Sequence, residues 1–376
     1  MVLLSGPNLS GNELKYIKDC IDTGWVSSVG SYVTDLENSV SKYVGSKYAV
    51  AMSSGTTALH LSLKILNIRK DDYVIAPNLT FIATLNAIKY TNANPILIDV
   101  DEKSWQMNLD LLEKFLNNKT RQVNGKCTYK EDGKIIKAIV AVHVLGNMCD
   151  MLRLVKICEA YNILLIEDAA ESLGSKFKGK HSGTFGNVGC FSFNGNKIIT
   201  CGGGGMIVTN DENIAKKAKH LSTQAKADSF EYFHDEIGYN YRLTNVSAAI
   251  GLAQMEQLDK FIKNKHYIKD FYINSFRNIG DITFQAINDD VFSNWWLFTI
   301  RSKKQKSLLE SLNKNKLQSR PFWIPMNNLP MFKEDLYVTE ENISNLIYKS
   351  ALSIPCSTNI NQEELLRVVE CIKKEF

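Results

Sequence analysis

Apolar positions along this chain gather in short continuous runs, with helix-like stretches between them. Residues 48–52, 73–76, 95–99, 135–143 and 163–168 each read as a strand buried on both faces. Between and before them the spacing predicts helices over residues 12–23, over 33–43 with Thr34 as N-cap, from Ala58 to Leu66, and over 82–90 and 151–161. Buried strands alternating with helices predict an α/β fold with a largely parallel sheet covered on both sides. Residues 123–134, with Gly125 and Gly133, break this rhythm as an inserted surface hairpin. From about Ala248 the texture changes: a long helix over 248–265, continuing to Phe276, leads into short mixed strands and helices. The expected division is a large domain over 1–250 and a smaller α+β domain over 251–376.

Composition changes the picture by exclusion. The chain has 376 residues, 44% hydrophobic and 22% charged, with 44 Lys and Arg against 40 Asp and Glu. A net charge of +4 leaves no electrostatic footprint for nucleic acid. No apolar stretch nears the length of a membrane span, and the N-terminus lacks the basic flank and apolar core of a secretory signal. Eight scattered cysteines without a CxxC pair suit reduced thiols, so a cytoplasmic location is expected.

Ligands of open parallel sheets sit at the carboxyl ends of the strands, so the residues that close each run matter most. Ser53-Ser54-Gly55-Thr56-Thr57 stands at a strand-to-helix junction, where free N–H groups and the helix dipole favour a phosphate; an ordinary capped turn is the plain alternative. Glu167-Asp168 closes a fully apolar run, which is costly unless a cation or hydrogen-bond donor meets the carboxylates; an N-cap by Asp168 is the alternative. Lys197 lies between an aromatic run ending at Phe193 and four glycines, Gly202 to Gly205. A partly desolvated amine there could attack a carbonyl, and consecutive glycines suggest a close backbone approach. Residues 174–181 nearly spell a nucleotide-binding phosphate loop. His181, however, occupies the magnesium-binding Ser/Thr position, so a surface hairpin is expected.

Asp168, then Ser192 and Lys197 five residues apart, then the glycine run resemble a fold-type I enzyme that uses pyridoxal 5'-phosphate (PLP). More closely, the chain resembles the DegT/DnrJ/EryC1/StrS family of nucleotide-sugar aminotransferases. The likeness runs nearly end to end, through Gly24-Trp25-Val26-Ser27-Ser28, Ser54-Gly55-Thr56-Thr57, Pro77-Asn78-Leu79-Thr80-Phe81, Val142-His143-Val144-Leu145-Gly146, Glu167 to Ser172, Gly238 to Asn245 and Arg320-Pro321. The resemblance implies a large mostly parallel-sheet domain and a smaller C-terminal one. It implies that Lys197 forms a Schiff base with PLP and then carries the proton between substrate and cofactor, and that Asp168 pairs with the ring nitrogen. Phe81 would stack on the ring, while Gly55, Thr56, Thr57 and Ser192 would hold the phosphate. Asn240 would reach that phosphate from a neighbouring subunit, which implies a homodimer with shared sites. Glu171 would lie beside the ring. His143 is open between a cofactor neighbour and a core residue, and Trp295, Trp296, Trp323 and Arg320 between substrate side and core.

Many relatives carry Gly-Glu-Gly-Gly where this chain has Gly202 to Gly205, a subgroup mark. The phrases around Lys197, residues 223–226 and 234–239 resemble a LegC-type subgroup. That likeness implies a UDP-linked 4-keto-6-deoxy-N-acetylhexosamine aminated at C4 with L-glutamate as donor, PLP alternating with its amine form (PMP). Other nucleotide-linked or octulosonate keto sugars are the alternative substrates. A related dehydratase typically has histidine in place of the lysine, so Lys197 argues for transamination, and the intact Lys, Asp and Ser set argues against a silent regulator.

Overall fold

In the computed structural model, which describes residues 1–228 and 230–376, the apolar runs form one eight-stranded sheet. Its strands are β1 (Tyr48–Met52), β2 (Tyr73–Pro77), β3 (Asn94–Ile98), β4 (Ile136–Val142), β5 (Leu164–Asp168), β6 (Val188–Ser192), β7 (Gly205–Thr209) and β8 (Leu336–Val338). They lie in the order β1-β7-β6-β5-β4-β2-β3-β8. Strand β7 runs antiparallel to β1 and β6, and every other pairing is parallel. Apolar side chains on the two faces enter separate clusters: Val74, Ala76, Val140 and Ile166 on one, Ile75, Ile139, Ala141 and Leu165 on the other. Burial on both sides explains the continuous rather than alternating apolar pattern.

A second, antiparallel sheet is built from Thr283–Phe284, Phe298–Arg301, Ala351–Ile354 and Arg320–Pro321 in that spatial order. The amino terminus docks beside it, where Val2 N donates to Lys316 O (2.9 Å) and Gln318 N donates to Val2 O (2.9 Å). Strand β8 belongs to the same C-terminal stretch, yet it extends the large sheet along β3. The buried Asp99, just past β3, fixes that crossing. Its carboxylate accepts from Thr339 Oγ1 (2.6 Å) and from the N–H groups of Ile343 (2.7 Å) and Ser344 (2.9 Å), which open the helix Ile343–Ser350.

Several local expectations shift. Helix Ser31–Val44 starts before Thr34, and Gly30 takes the N-cap position. A Cβ on Gly30 would lie 2.2 Å from the Asn245 side chain, so the close approach of that residue sets the entry to the helix. The long helix is two, Asn245–Met255 and Leu258–Phe276; at the break, Glu256 accepts from Asn12 Nδ2 (2.7 Å) and Tyr16 Oη (2.5 Å). The inserted hairpin pairs Thr120–Val123 with Lys126–Tyr129, so it begins before Val123. Lys176–Phe177 and Lys180–His181 form the expected short hairpin, with His181 buried and accepting from Gly174 N–H (2.8 Å). Among the described residues, no helix is long and apolar enough to cross a membrane.

Candidate active site

Strand β5 delivers Asp168 to the carboxyl edge of the sheet, in a buried position. Thr84 Oγ1 donates to its Oδ2 (2.7 Å) and Ala170 N–H to its Oδ1 (3.2 Å), the local turn that stands where an N-cap was the alternative. Burial pushes the Asp168 carboxyl up from its ordinary pKa, while those two donors and the charges of Lys197 and His143 pull it down. A carboxylate held this way gains from a cation placed against it.

Strand β6 ends at Ser192, and the turn beyond it carries Lys197, whose N–H donates to Asn194 O (3.0 Å). Lys197 Nζ stands 3.5 Å from Glu171 Oε1 and 3.8 Å from the centre of the Trp296 ring. The other Glu171 oxygen accepts from Leu145 N–H (2.8 Å), which faces it because Leu145 adopts a left-handed backbone, φ 60°. Burial raises the Glu171 pKa to about 7, against the opposing pull of Lys197 and the Leu145 N–H.

Between these groups lies the N-terminus of the helix Gly55–Ile65. Ser54 and Thr57 form a reciprocal capping box there, Ser54 Oγ accepting from Thr57 N–H (3.1 Å) and Thr57 Oγ1 from Ser54 N–H (3.0 Å). Strand β7 presses onto this cap: a Cβ on Gly205 would lie 2.4 Å from the Ser54 carbonyl carbon. A Cβ on Gly55 would lie 2.8 Å from that of Ser192. The glycine run therefore has a physical reason at Gly205, and again at Gly202 with φ +78°.

One cavity of about 370 Å³ collects Gly55, Thr56, Phe81, Asp168, Glu171, Ser192 and Lys197, together with Trp296, Trp323 and Arg320. Several residues singled out in the sequence lie outside its lining. Thr57 spends its hydroxyl on the capping box. His143 is buried, its Nε2 2.9 Å from Glu167 Oε2, while its Nδ1 has no hydrogen-bond partner among the described residues. Glu167 is held as an anion: burial opposes this, but His143 and the N–H groups of Gly183 and Gly186 bring its pKa below the ordinary value. Trp295 packs on Phe298, ring centres 6.0 Å apart. Asn240 is exposed, with Arg242 Nη2 donating to its Oδ1 (3.4 Å). Sequence reasoning gave no role to Thr84 and Leu145, which appear only within the matching motifs, and passed over Asn294; their contacts lie with residues distant along the chain.

The residues present fit PLP. Free N–H groups at a helix N-terminus beside Ser54, Thr56 and Ser192 suit its phosphate. The buried Asp168 suits a protonated ring nitrogen, Lys197 supplies the amine, and Phe81 turns a 52% exposed ring to the cavity.

Comparison with known proteins gives the same answer. The family model described as the DegT/DnrJ/EryC1/StrS aminotransferase family matches residues 7–373. A GDP-perosamine synthase of Escherichia coli O157:H7 is 38% identical over 373 residues, 98% of this chain and 97% of that protein. A Bacillus subtilis (strain 168) protein provisionally named a pyridoxal phosphate-dependent aminotransferase is 37% identical, covering 100% of this chain and 96% of its own. The crystal structure of a DegT DnrJ EryC1 StrS aminotransferase from Brucella abortus superposes with a TM-score of 0.89 at 25% identity, covering 97% of this chain and 95% of that one. The chain belongs to the DegT/DnrJ/EryC1/StrS aminotransferase family and is a PLP-dependent sugar aminotransferase of fold type I.

Proposed function

We propose that this enzyme moves the amino group of L-glutamate to C4 of a nucleotide-linked 4-keto-6-deoxy hexose. The carrying observation is the single cavity in which the Lys197 amine, the Asp168 and Glu171 carboxyls and the cationic Arg320 all meet. The name of the Escherichia coli relative supports a guanosine diphosphate carrier ahead of the uridine diphosphate that the subgroup likeness suggested.

Bound PLP supplies an electron sink for the carbon that gains or loses a proton. The chain's own groups do the rest. Asp168 Oδ1 and Oδ2, oriented by Ala170 N–H and Thr84 Oγ1, hold the proton on the ring nitrogen. Gly55 and Thr56, with the Ser192 hydroxyl, orient the cofactor phosphate, and Thr57 serves it indirectly by fixing the cap. Lys197 Nζ moves the proton, with Glu171 Oε1 beside it as a second carrier. Arg320 and Trp323 lie on the side of the second sheet and are assigned to the sugar nucleotide, Arg320 to its diphosphate. Glutamate enters the same cavity in the other half of the reaction.

Asn240 completes the phosphate site in a homodimer. It lies outside its own cavity, in a stretch that exposes apolar side chains, Phe230 (93%) and Ile237 (88%) among them. Trp25 and Val26 are exposed as well, and Asn245, which opens the helix after that stretch, donates from Nδ2 to Trp25 O (2.8 Å). Eight unpaired cysteines support a cytoplasmic location.

The test is a glutamate-dependent assay over GDP-, UDP- and dTDP-linked 3-keto and 4-keto sugars, with NMR of the amine formed. Turnover greatest with the GDP-linked 4-keto sugar supports the reading. Turnover with a 3-keto sugar alone, or with none of the panel, overturns it.

A further inference from the structure

The Lys197 amine has two neighbours on opposite chemical terms. On one side stands the Glu171 carboxyl at 3.5 Å; on the other lies the face of the Trp296 indole, 3.8 Å from ring centre to Nζ. A cation that close to an indole face is within the range of strong cation–π attraction. Trp296 is 3% exposed, so little water competes for the contact.

Trp296 is anchored through both its indole and its backbone. Its Nε1–H donates to Asn196 O (2.6 Å), the carbonyl immediately before Lys197. Its backbone N–H donates to Asn294 Oδ1 (2.9 Å), and its backbone carbonyl accepts from Lys265 Nζ (2.7 Å). Asn294 is fully buried and uses its amide in both directions, since its Nδ2 donates to Glu171 O (2.9 Å) and Leu173 O (2.9 Å). One side chain therefore sets the distance between the acid and the indole that flank the amine. Lys265 is itself a buried cation, spent on the carbonyls of Trp296 and Cys356 (2.6 Å), and burial pulls its pKa down. That is an expensive way to hold a backbone unless its position matters.

We propose that Trp296 is a positioning residue for the Lys197 amine: the indole face, spaced from Glu171 by Asn294 and braced by Lys265, receives the ammonium group whenever Lys197 is not bonded to the cofactor. The assignment rests on Lys197 as the reactive lysine. Its consequence is that the contact stabilises states in which Nζ is a free ammonium group, and not those in which Nζ is a neutral amine. Trp296 also fixes where the free Nζ waits, between the acid and the cavity, for its proton transfers.

The test uses the cofactor-free full chain, so it does not depend on turnover. Acetic anhydride labels lysines at neutral pH, and mass spectrometry reads labelling of Lys197 relative to Lys18 and Lys216, both exposed. A protonated amine is unreactive, so loss of a desolvated cation–π contact raises labelling on the order of tenfold. Trp296→Leu should show that rise, and Trp296→Phe, which keeps an aromatic face of similar bulk, should stay well below it. Equal labelling in Leu and Phe variants, raised or unchanged, overturns the proposal, because it assigns any effect to access alone. If Trp296→Leu does not fold, mono- to tetrafluorotryptophan placed at position 296 grades the π face at nearly constant shape. Labelling that climbs with fluorination supports the assignment, and labelling without trend refutes it. Borohydride mapping of the PLP-loaded chain checks Lys197 as the reactive lysine separately.

Discussion

Burial pushes two carboxyl groups of one cavity, Asp168 and Glu171, toward their protonated forms, and the consequences differ. Asp168 would be answered by the protonated ring nitrogen of bound PLP. Glu171 is answered within the chain by Lys197 and the Leu145 N–H, and its pKa still rises from 4.5 to about 7. Between those pH values the folded protein holds a proton that the unfolded chain has released. This contribution to stability is complete below pH 4.5 and is lost as pH rises through about 7. Replacing Glu171 by Gln removes that dependence. In the cofactor-free protein, Glu171→Gln should gain on the order of 3 kcal/mol over wild type above pH 7, and nothing at pH 4. Denaturant titrations at several pH values read this; parallel profiles for the two proteins would contradict it. Lys197 and Asp168 were legible in the sequence because a charged group closing or following an apolar run demands a reason. Thr84, Leu145 and Asn294 were not, since a hydroxyl that reaches across 84 residues to Asp168, or a left-handed leucine that aims its N–H at Glu171, leaves no trace in local pattern.

At the scale of elements, the site depends on how tightly β7 presses on the cap of helix Gly55–Ile65. Gly205 has no room for a Cβ, whereas a Cβ on Gly203 would meet nothing within 4 Å. Gly205→Ala must push the backbone of Ser54 and Gly55 away from Ser192. It should cost about 1–3 kcal/mol of stability, the range for overpacking, and weaken PLP binding. Gly203→Ala should leave the unfolding midpoint in place. Equal midpoints for the two variants would remove the strand-on-cap account. Strands were the most legible elements, because burial on both faces writes a continuous apolar run. The two-residue break after Met255 was not, since its cause is a side-chain bond from Glu256 to the distant Asn12 and Tyr16. Strand β8 also escaped notice: three half-buried residues joining an edge carry too little pattern.

The whole molecule raises the question of the second copy. Asn240 is exposed and lies outside the lining of its own cavity, and the proposed homodimer would bring it to the phosphate site of a partner. Lys197→Ala and Asn240→Ala chains, each inactive alone, should therefore complement when mixed and re-equilibrated. Half the dimers would then be hybrids carrying one whole site, returning about a quarter of wild-type activity. A mixture no more active than its components would show that the sites are not shared. Nothing in the sequence pattern alone marks such a surface, because exposed aromatics such as Phe230 read as ordinary loop residues until their clustering is seen.

The central claim is that one lysine, Lys197, carries the amine chemistry of this fold. The direct measurement loads the full chain with PLP, reduces it with borohydride and maps the modified peptide by mass spectrometry. The account predicts one stoichiometric adduct on Lys197, absent in Lys197→Ala while that variant keeps its fold. An adduct on another lysine, or none on protein that has bound PLP, would contradict it.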